Sequence, residues 1–307
     1  MAEPHDKTHV VVLAGGTGGA KLARGMLDVA GDDLVVVANT ADDIEIYGAY
    51  VSPDPDLCTF WLADRIDERG WGLEGDTFQA MEQLRELGVD VWFNLGDRDL
   101  AIGLRRAQRL SEGATLTTAI AELTRALGLD ARVLPMTDDP VRTRVLVHGA
   151  WVPFQEFMIR ERGAGPVDGF ELQGIQAASA PAAVREAIAG ARAIVIGPSN
   201  PIVSVRPILS VAGIADALGA APAPVVAVSP IVGGKVLKGP TGAFMDWADL
   251  PLSAAGVVAA YDGVLDGIVA DEPVDGLPAL EVDTRMDDPA ARTRLAQDVL
   301  RFAEGLR

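Results

Sequence analysis

The sequence predicts an α/β protein built on a doubly wound, mostly parallel sheet, with a helical and hairpin insertion. The runs HVVVLA (9–14) and DLVVVANT (33–40) lack polar alternation, which is typical of strands buried on both faces of a parallel sheet. Two further apolar runs, within 191–201 and 223–234, each end in a loop of glycine, proline and serine. Helical patterns lie between the runs, so strand, loop and helix alternate as in a Rossmann-like sheet.

The first unit of this pattern is HVVVLAGGTGGAKLARGML (9–27). A β-branched run is followed by a glycine turn and then by a helix that places Leu22, Met26 and Leu27 on one face. Together with the run at 33–40, this segment predicts one complete βαβ unit.

The middle of the chain reads as helices followed by a hairpin. In DTFQAMEQLRELG, Asp76 is predicted to cap a helix and Gly88 to end it. RDLAIGLRRAQRL and TLTTAIAELTRALG are also helical, and ARVLP (131–135) returns as a strand. TRVLVHGAWVPFQ alternates apolar and polar residues across His148-Gly149, which predicts a hairpin. Residues 60–175 are therefore expected to form an insertion or substrate lobe.

The C-terminal half adds strands and helices without a linker. A helical segment around 206–218 separates its two strands, and the last helix has Asp288 as its cap and Pro289 in its first turn. No internal repeat or low-complexity segment interrupts the chain, so residues 1–307 are predicted to be a single domain. Right-handed crossovers place all the strand-end loops on one edge of the sheet.

Composition excludes several classes of protein. The chain is 49% hydrophobic and 23% charged, which is ordinary for a globular protein, and its formal net charge of −18 disfavours nucleic acid and anionic membranes as partners. The longest apolar stretch, around 207–234, is broken by Asp216, and residues 1–9 lack the apolar core of a signal peptide. Cys58 is the single cysteine, which fits a reducing cytoplasm and excludes an internal disulfide.

The glycine loop GGTGGAK (15–21) lies between the first strand and the first helix, where free N–H groups and the helix dipole favour an anion. A nicotinamide cofactor is disfavoured, because Lys21 replaces the third glycine of that fingerprint and the second strand ends in Asn39-Thr40 rather than in a carboxylate. The alternative is a tight turn that binds no ligand. The candidate phosphate ligands are Gly15, Gly16, Thr17, Gly18, Gly19 and Lys21.

An acidic stretch, NTADDIEIYGAYVSPDPD (39–56), follows the second strand. Carboxylates at that edge are the ligands that Mg²⁺ needs beside a diphosphate, and the candidates are Asp42, Asp43 and Asp56, with Asp54 in reserve. The alternative interpretation is that Asp42 caps a helix and that SPDPD is a proline-rich turn. The sequence alone leaves these two interpretations even.

Two later segments, NLGDRDLA (94–101) and LPMTDDPVRT (134–143), share one plan: a strand-like run, a turn, paired acids and an arginine. The charged residues concerned are Asp97, Arg98, Asp99, Asp138, Asp139, Arg142 and Arg144. They are expected either to cap helices and form local ion pairs or to line the cleft.

A stiff loop follows the third predicted strand. GPSNP (197–201) holds Ser199 and Asn200 between two prolines, which suits hydrogen bonding to a ligand. Lys235 and Lys238, near the next strand, are either solvated or within reach of an anionic group.

The motifs GGTGGAK, NTADD, SPDPD, GDRD, LPMTDDPV, IGPSNP and VSPIVGG, in this order and at these strand ends, resemble the 2-phospho-L-lactate transferase family of deazaflavin coenzyme F420 biosynthesis. The resemblance implies transfer of a phospholactyl group from lactyl-diphospho-guanosine to the ribityl hydroxyl of Fo, 7,8-didemethyl-8-hydroxy-5-deazariboflavin. GMP is released and coenzyme F420-0 is formed. Actinobacterial members of the family resemble phosphoenolpyruvate transferases, which use the enolpyruvyl donor and form the dehydro product.

The resemblance also implies Mg²⁺ as cofactor, a homodimer and a cytoplasmic location. Asp56 falls at the SPDxD position that contacts the deazaflavin, and Asn94 falls at a second contact where some members carry lysine. The metal ligands are predicted to be Asp42, Asp43 and Asp56, and Asp43 or Asp56 is predicted to accept the proton of the acceptor hydroxyl. The predicted substrate-binding residues are Gly15, Gly16, Thr17, Gly18, Gly19, Lys21, Asn39, Thr40, Asp56, Asn94, Gly96, Asp97, Arg98, Asp138, Asp139, Gly197, Ser199 and Asn200.

Two other functions compete with this prediction. A nucleotide-sugar-binding regulatory protein of related fold would share the glycine loop and bind a ligand without turnover. The second alternative is an NAD-dependent dehydrogenase, and Asn39 and Lys21 argue against it.

Overall fold

The computed structural model describes residues 9–306. Residues 1–8, which carry most of the polar N-terminal segment predicted to lack a signal peptide, and Arg307 lie outside the described part of the chain.

The described strands are β1 (His9–Ala14), β2 (Leu34–Ala38), β3 (Ile44–Ile46), β4 (Ala49–Val51), β5 (Arg132–Pro135), β6 (Arg142–Val147), β7 (Ala150–Pro153), β8 (Gly169–Gln173), β9 (Ala191–Ile196), β10 (Val225–Val228), β11 (Ile231–Val232), β12 (Lys235–Val236), β13 (Gly267–Ala270) and β14 (Ala279–Glu281). The described α-helices are α1 (Gly16–Ala30), α2 (Pro53–Leu62), α3 (Gln79–Glu86), α4 (Asp97–Ser111), α5 (Leu116–Ala126), α6 (Phe154–Ile159), α7 (Ala182–Ala189), α8 (Arg206–Ser210), α9 (Ile214–Ala220), α10 (Thr241–Trp247), α11 (Ala254–Ala260) and α12 (Pro289–Gly305). Short 3₁₀ turns at Gly31–Asp33 and Ile175–Ala177 and a π-helical turn at Pro201–Val205 complete the set. None of the helices in residues 9–306 combines the length and the apolar character needed to cross a bilayer.

Seven parallel strands form the central sheet in the order β14-β13-β10-β9-β1-β2-β5. The chain runs outward from β1 through β2 to β5, and then returns to the other side of β1 to build β9, β10, β13 and β14. The strand order therefore reverses between β1 and β9, and ligands bind beyond the carboxyl ends of the strands at such a point. The predicted doubly wound α/β fold is confirmed.

The last two strands of the sheet, β13 and β14, were not predicted from the sequence. They contain four and three residues, and the apolar run GIVA is too short to be distinguished from a helix segment or a loop. The hydrogen bonds to β10 that define β13 join positions about forty residues apart, such as Val226 and Gly267.

The core lies on both faces of the sheet. Val11 and Leu13 of β1 pack on one face, whereas Val10 and Val12 pack on the other beneath α1, α2 and α12. All four side chains are fully buried, and each contributes about 1.5–3 kcal/mol relative to its exposed state. Burial on both faces explains why the strand sequences show no alternation.

The insertion contains helices α3 to α5 and an antiparallel sheet in the order β7-β6-β8. The predicted hairpin is confirmed, and its turn places His148 and Gly149 at φ of 51° and 80°, which is typical of a type I′ turn. The predicted lobe at 60–175 is interrupted by β5, which pairs with β2 in the central sheet. A second hairpin, β3–β4, lies within the acidic stretch and was not predicted.

Helices α3 and α4 exchange their caps. Asp97, the first residue of α4, accepts hydrogen bonds from the N–H groups of Gln79 (3.1 Å) and Ala80 (2.9 Å) at the start of α3. Asp76 accepts from Arg98 N–H (2.9 Å) and from the following N–H group in the first turn of α4. We call Asp76 and Asp97 the crossed caps. The prediction that Asp76 caps α3 is therefore wrong, because the chain reverses between the helices and brings each carboxylate to the other's N-terminus.

Candidate active site

The glycine loop joins β1 to α1 at the carboxyl edge of the sheet. Gly16 has φ of +62°, a backbone conformation that favours glycine, and a side chain there would meet open space. Its N–H donates to Asp54 Oδ1 at 2.7 Å, and the N–H of Gly15 donates to Ser199 Oγ at 3.2 Å. Two side chains of the protein thus occupy the first N–H groups of this helix.

The other glycines of the loop allow close contact with GPSNP, the loop after β9. A Cβ on Gly18 would lie 2.0 Å from the carbonyl oxygen of Pro198, and one on Gly19 would lie 2.6 Å from Ser199 Oγ. A Cβ on Gly197 would lie 2.9 Å from Gly19 Cα. These glycines therefore have a packing role, and the structure leaves their predicted contact with phosphate untested.

Asn39 links two carboxylates beyond the end of β2. Its amide nitrogen donates to Asp42 Oδ2 and to Asp54 Oδ2, both at 3.0 Å, and its Oδ1 accepts from Ala41 N–H at 2.9 Å. Asn39 is fully buried. A continuous set of hydrogen bonds therefore connects Gly16, Asp54, Asn39 and Asp42. We call residues 39–43 the acid loop.

Neither structural alternative for this stretch holds. Asp42 caps no helix, and the SPDPD segment is not an isolated turn, because Pro53 begins α2. The start of that helix presents Asp54 to Gly16.

Burial raises the pKa of the carboxyl groups at this position. The pKa of Asp54 rises to about 6 and that of Asp43 to about 7, in both cases chiefly because of burial. For Asp42, burial and then the charge of Asp54 raise the pKa well above its ordinary value. A cation placed among these groups would favour their ionised forms.

Several buried polar atoms near the acid loop have no hydrogen-bond partner. Asp42 Oδ1 and Asp43 Oδ2 are free, although the second oxygen of Asp43 accepts from Ser52 Oγ at 2.8 Å. Thr40 Oγ1 and the amide nitrogen of Asn200 are also buried without a partner. Buried polar groups are normally paired, so this group of atoms is arranged for a ligand.

The carboxylates of the acid loop fit a magnesium ion that is shared with a substrate. Within residues 9–306, no three His, Cys, Asp or Glu side chains come together as a metal-binding group. Mg²⁺ commonly uses only one or two carboxylates and completes its shell with substrate phosphates and water. Asp42 and Asp43, each with one free buried oxygen, match that arrangement.

Asp56 has a different partner. Its two oxygens accept from Arg106, one from Nη1 at 3.0 Å and the other from Nη2, and Arg106 also donates to the carbonyl of Tyr50 at 3.0 Å. Burial alone would lower the pKa of Arg106, but the charge and hydrogen bonds of Asp56 outweigh it and raise that pKa. In this arrangement Asp56 does not fit as a metal ligand or proton acceptor, contrary to the expectation from the sequence, because both oxygens face the guanidinium.

Sequence reasoning missed Arg106. This residue is 3% exposed, yet the segment GLRRAQRL (103–110) looks like the charged face of an amphipathic helix, and nothing in it separates a buried arginine from its solvated neighbours. The signal in the sequence is Gly103, a glycine inside the helix one turn earlier. In the structure a Cβ on Gly103 would lie 2.9 Å from Ala49 Cβ, so this glycine marks the face of α4 that packs on β4.

The remaining predicted acids are engaged by backbone N–H groups. Asp97 is one of the crossed caps, and Gly96 leaves room for the other, since a Cβ there would lie 2.1 Å from Asp76 Oδ2. Asp138 accepts from Thr117 N–H (2.7 Å) in the first turn of α5, and Asp139 accepts from Ser179 N–H (3.0 Å). These contacts give the acids structural roles.

Two residues predicted to bind substrate, Asn94 and Arg98, lie in the exposed part of the insertion. Asn94 is exposed, and its Oδ1 accepts from Arg85 at 2.7 Å. Arg98 is exposed as well, and it donates to the carbonyl of Glu74 at 3.1 Å. The structure does not bring either side chain into contact with the acid loop.

A basic rim lies beside the glycine loop. Lys21 Nζ lies 5.7 Å from the ring centroid of Trp61, and Lys238 Nζ lies 3.8 Å above the ring of Trp71. The loop that carries Trp71 approaches the glycine loop, because a Cβ on Gly70 would lie 3.9 Å from Thr17 Cγ2. Burial and then the charge of Lys21 lower the pKa of Lys238, so an anion bound here would favour the ammonium form of Lys238.

A cavity of about 380 Å³ opens on the other side of the acid loop, between it and the β6–β7 hairpin. Its lining includes Asp42, Asp43, Arg142, Thr143, Arg144 and Gln155. The amide nitrogen of Gln155 donates to the carbonyl of Asp42 at 3.2 Å, which joins the hairpin to the acid loop. Carboxylates and guanidinium groups therefore share one cavity at the carboxyl edge of the sheet.

Proteins of known sequence match this chain over nearly its whole length. Residues 10–292 match the profile of the family described as 2-phospho-L-lactate transferase CofD. The chain is 39% identical to the 2-phospho-L-lactate transferase of Methanosarcina mazei over 265 residues, which are 86% of this chain and 87% of that protein. It is 38% identical to the 2-phospho-L-lactate transferase of Methanopyrus kandleri, with 97% and 98% of the two chains covered. It is also 38% identical to the phosphoenolpyruvate transferase of Streptomyces griseus, with 97% and 99% covered.

Among solved structures, a member of the UPF0052 family from Bacillus halodurans has a similar fold. The TM-score is 0.63 at 18% identity, and the match covers 96% of this chain and 99% of that one. A likeness at this level of identity supports the fold and carries no argument about activity.

Proposed function

The chain belongs to the 2-phospho-L-lactate transferase family, and from that premise we propose its complete reaction. Transfer of a 2-phospho-L-lactate or phosphoenolpyruvate unit in coenzyme F420 biosynthesis is the activity that its relatives support. In our proposal the donor is lactyl- or enolpyruvyl-diphospho-guanosine, and the acceptor is the ribityl hydroxyl of Fo. The products are GMP and coenzyme F420-0 or its dehydro form.

The bond changes follow from the structure of the donor. The acceptor oxygen attacks the β-phosphorus, which carries the lactyl or enolpyruvyl group, and the bond from that phosphorus to the bridging oxygen breaks. The bridging oxygen leaves with GMP, and the proton of the acceptor hydroxyl passes to a carboxylate. Negative charge accumulates on the bridging oxygen, so electrostatic stabilisation and positioning supply most of the rate enhancement.

One observation carries this proposal: two adjacent carboxylates, Asp42 and Asp43, are buried beside the glycine loop and each keeps a free oxygen. Asp42 would hold Mg²⁺ together with the donor phosphates, and the ion, when bound, supplies charge neutralisation. Asn39 holds Asp42 and Asp54 together and so fixes the orientation of the free oxygen.

We assign the proton of the acceptor hydroxyl to Asp43. Its Oδ2 is free, whereas its Oδ1 is held by Ser52, so the carboxylate has a defined orientation. Asp56 is less suited to this role because both of its oxygens accept from Arg106. A loose transition state places little demand on the strength of the base.

The phosphates of the donor are assigned to the basic rim and to the part of the glycine loop beyond Gly16, since Ser199 and Asp54 already accept from the N–H groups of Gly15 and Gly16. Lys21 and Lys238 face the same region as Thr17, and the amide of Asn200 has a free donor in its buried position. The homodimer implied by the resemblance also remains a proposal, which light scattering would test.

Incubation with Fo, Mg²⁺ and either guanosine diphosphate ester tests the reaction directly. We expect GMP and a deazaflavin whose mass has increased by the transferred group, both detected by liquid chromatography and mass spectrometry. Omission of Mg²⁺ in the presence of a chelator should abolish both products. Absence of GMP with both donors would refute the transferase proposal, and binding of a guanosine diphosphate ester without turnover would instead favour a regulatory protein.

A further inference from the structure

The cavity between the acid loop and the β6–β7 hairpin contains positive groups that the proposed reaction has not used. Arg142 and Arg144 lie two residues apart on β6, so their side chains share one face of that strand. Thr143, between them, is buried, and its hydroxyl lies near Asp42 but meets no partner with hydrogen-bonding geometry. The same cavity is lined by Asp42, Asp43 and Glu45, so groups of both charges face one space.

The guanidinium of Arg142 lies 5.5 Å from the ring centroid of Tyr50 and makes few hydrogen bonds. Nη1 donates to the carbonyl of the preceding residue at 2.8 Å, and Nη2 lies 3.4 Å from Tyr50 OH and 3.6 Å from Glu45 Oε1. The Glu45 side chain is 74% exposed, so this ion pair is weak.

Arg144 has even fewer partners. Its Nη2 donates to the carbonyl of Trp151 at 2.8 Å, and its Nε is buried without a partner. A guanidinium carries five N–H donors in a planar fork that matches a carboxylate. Both arginines therefore retain donors for a ligand.

Neutralisation of the acid loop is the structural alternative for these arginines. Neither Arg142 nor Arg144 donates a hydrogen bond to Asp42 or Asp43, whose free oxygens remain unpaired in the same cavity. Burial raises the pKa of Asp43, and the charge of Arg142 lowers it in part, so Arg142 offsets some of the negative charge of the loop from a distance. The separation of the arginines from the acids leaves space for a molecule that meets both charges, with its anionic end on the arginines and a cation-bound phosphate on the acids.

We propose that Arg142 and Arg144 form the subsite that binds the carboxylate of the transferred three-carbon unit. This inference rests on the proposed function, in which that unit is a phospholactyl or phosphoenolpyruvyl group. Both groups carry a carboxylate next to the carbon that bears the phosphate. The subsite therefore recognises a feature common to the two donors and rejects diphosphate esters that lack it.

A comparison of two donors in the unmodified protein and in its arginine variants tests the subsite. The second donor is ethyl-diphospho-guanosine, which lacks the carboxylate but keeps the reacting diphosphate. We expect Arg142→Met to lower kcat/KM for the carboxylated donor by about 10²-fold, because a charge-assisted pair is lost, and to change kcat/KM for the ethyl donor less than threefold. Arg144→Met should behave in the same way, and Arg142→Lys should recover part of the loss.

Arg301→Met, on the exposed face of α12, is the matched control and should affect neither donor. Equal losses on both donors in the Arg142 and Arg144 variants would overturn the subsite, since they would indicate a general effect on the fold or on the acid loop. If the unmodified protein releases no GMP from the carboxylated donor, the proposed function fails first. If the unmodified protein turns over the carboxylated donor but the variants keep its ratio of kcat/KM between the two donors, the subsite is refuted and the proposed function stands.

A binding measurement provides a readout without turnover. In calorimetric titrations with Mg²⁺ present, we expect phosphoenolpyruvate to bind the unmodified protein at least tenfold more tightly than ethyl phosphate. Arg142→Met should bring the two affinities within threefold. Retention of the preference by the folded variant would contradict the assignment.

Discussion

Two groups of aspartates that look alike in the sequence have opposite environments in the structure. The crossed caps, Asp76 and Asp97, accept hydrogen bonds from backbone N–H groups at the starts of α4 and α3. In the acid loop, Asp42 and Asp43 are buried, and each keeps one oxygen without a partner. Hydrogen bonds from Thr77 and then from the backbone lower the pKa of Asp97, whereas burial raises the pKa of both acids of the loop.

This difference separates acids that stabilise the fold from acids that are available to a ligand. A carboxylate whose oxygens are satisfied by N–H groups has little left to offer a substrate. A carboxylate that is buried and only partly satisfied destabilises the free protein, and a bound cation recovers that cost. The same residue type in a similar motif thus serves stability in one region and ligand binding in the other.

The largest expected effect distinguishes the two regions by activity. Asp42→Asn should lower kcat by at least about 10²–10³-fold, because a charged group facing the reacting phosphates is lost. Its urea midpoint should stay the same or rise, since a buried amide costs less than a buried unpaired carboxylate. Asp97→Ala is the matched control, with unchanged kcat and a lower midpoint, because the acceptor for the N–H groups at the start of α3 is lost. Activity of Asp42→Asn within tenfold of the unmodified protein would remove Asp42 from the site.

The second prediction concerns Asp56, which is buried like the acid loop but paired with Arg106. Arg106→Met should lower the free energy of unfolding by about 3–5 kcal/mol, because Asp56 is then left as a buried charge without a partner. Urea denaturation measures the change. The double variant Arg106→Met, Asp56→Asn should recover part of the loss; a double variant as unstable as the single one would show that packing of the arginine, not its charge, matters.

Asp99 tests whether burial alone distinguishes the two regions. It lies in the first turn of α4, and burial followed by the charges of Asp56 and Asp76 raises its pKa to about 7. The folded protein therefore holds this proton more tightly than the unfolded chain, so stability falls as pH rises from about 4 to about 7. In Asp99→Asn the decrease in the free energy of unfolding between pH 5 and pH 8, measured by urea denaturation, should be smaller by a few kcal/mol. Equal slopes in the two proteins would contradict the prediction.

The smallest effect is expected at the other crossed cap. Asp76→Ala removes the acceptor for N–H groups in the first turn of α4 and should cost about 1 kcal/mol, which lowers Tm by about 2–4 °C. Asp76→Asn should retain most of the stability, because asparagine also caps helices. Turnover should be unchanged in both variants, and a large loss of kcat in either would place Asp76 in the site.

Local sequence patterns were sufficient for the centre of the fold. Continuous β-branched runs identified β1 and β2, and the glycine turn after β1 located the start of α1, since these signals depend on neighbouring residues. The grouping of strand-end loops on one edge followed from the handedness of crossovers. The acid loop and GPSNP were therefore placed together correctly.

The sequence could not show which acids were satisfied. The partners of Asp76 and Asp97 lie about twenty residues away, and the partner of Asp56 is fifty residues away on α4. Contacts of this kind depend on how the chain returns in space and not on local periodicity. The cavity beside Arg142 is also formed by segments separated by about a hundred residues.

The tight contact between the glycine loop and GPSNP has a consequence for anyone who alters this protein by directed evolution. A Cβ on Gly18 would overlap the Pro198 carbonyl at 2.0 Å, and one on Gly15 would lie 2.6 Å from Ser204 Cβ. In libraries that vary these positions, most variants would carry a side chain that prevents the glycine loop from packing against its neighbours. Donor preference is better sought in the opposite wall, where Arg142 and Arg144 of β6 line the cavity. One side of the site, formed by the glycine loop and GPSNP, is therefore fixed by packing, whereas the side formed by β6 is the place to alter donor specificity.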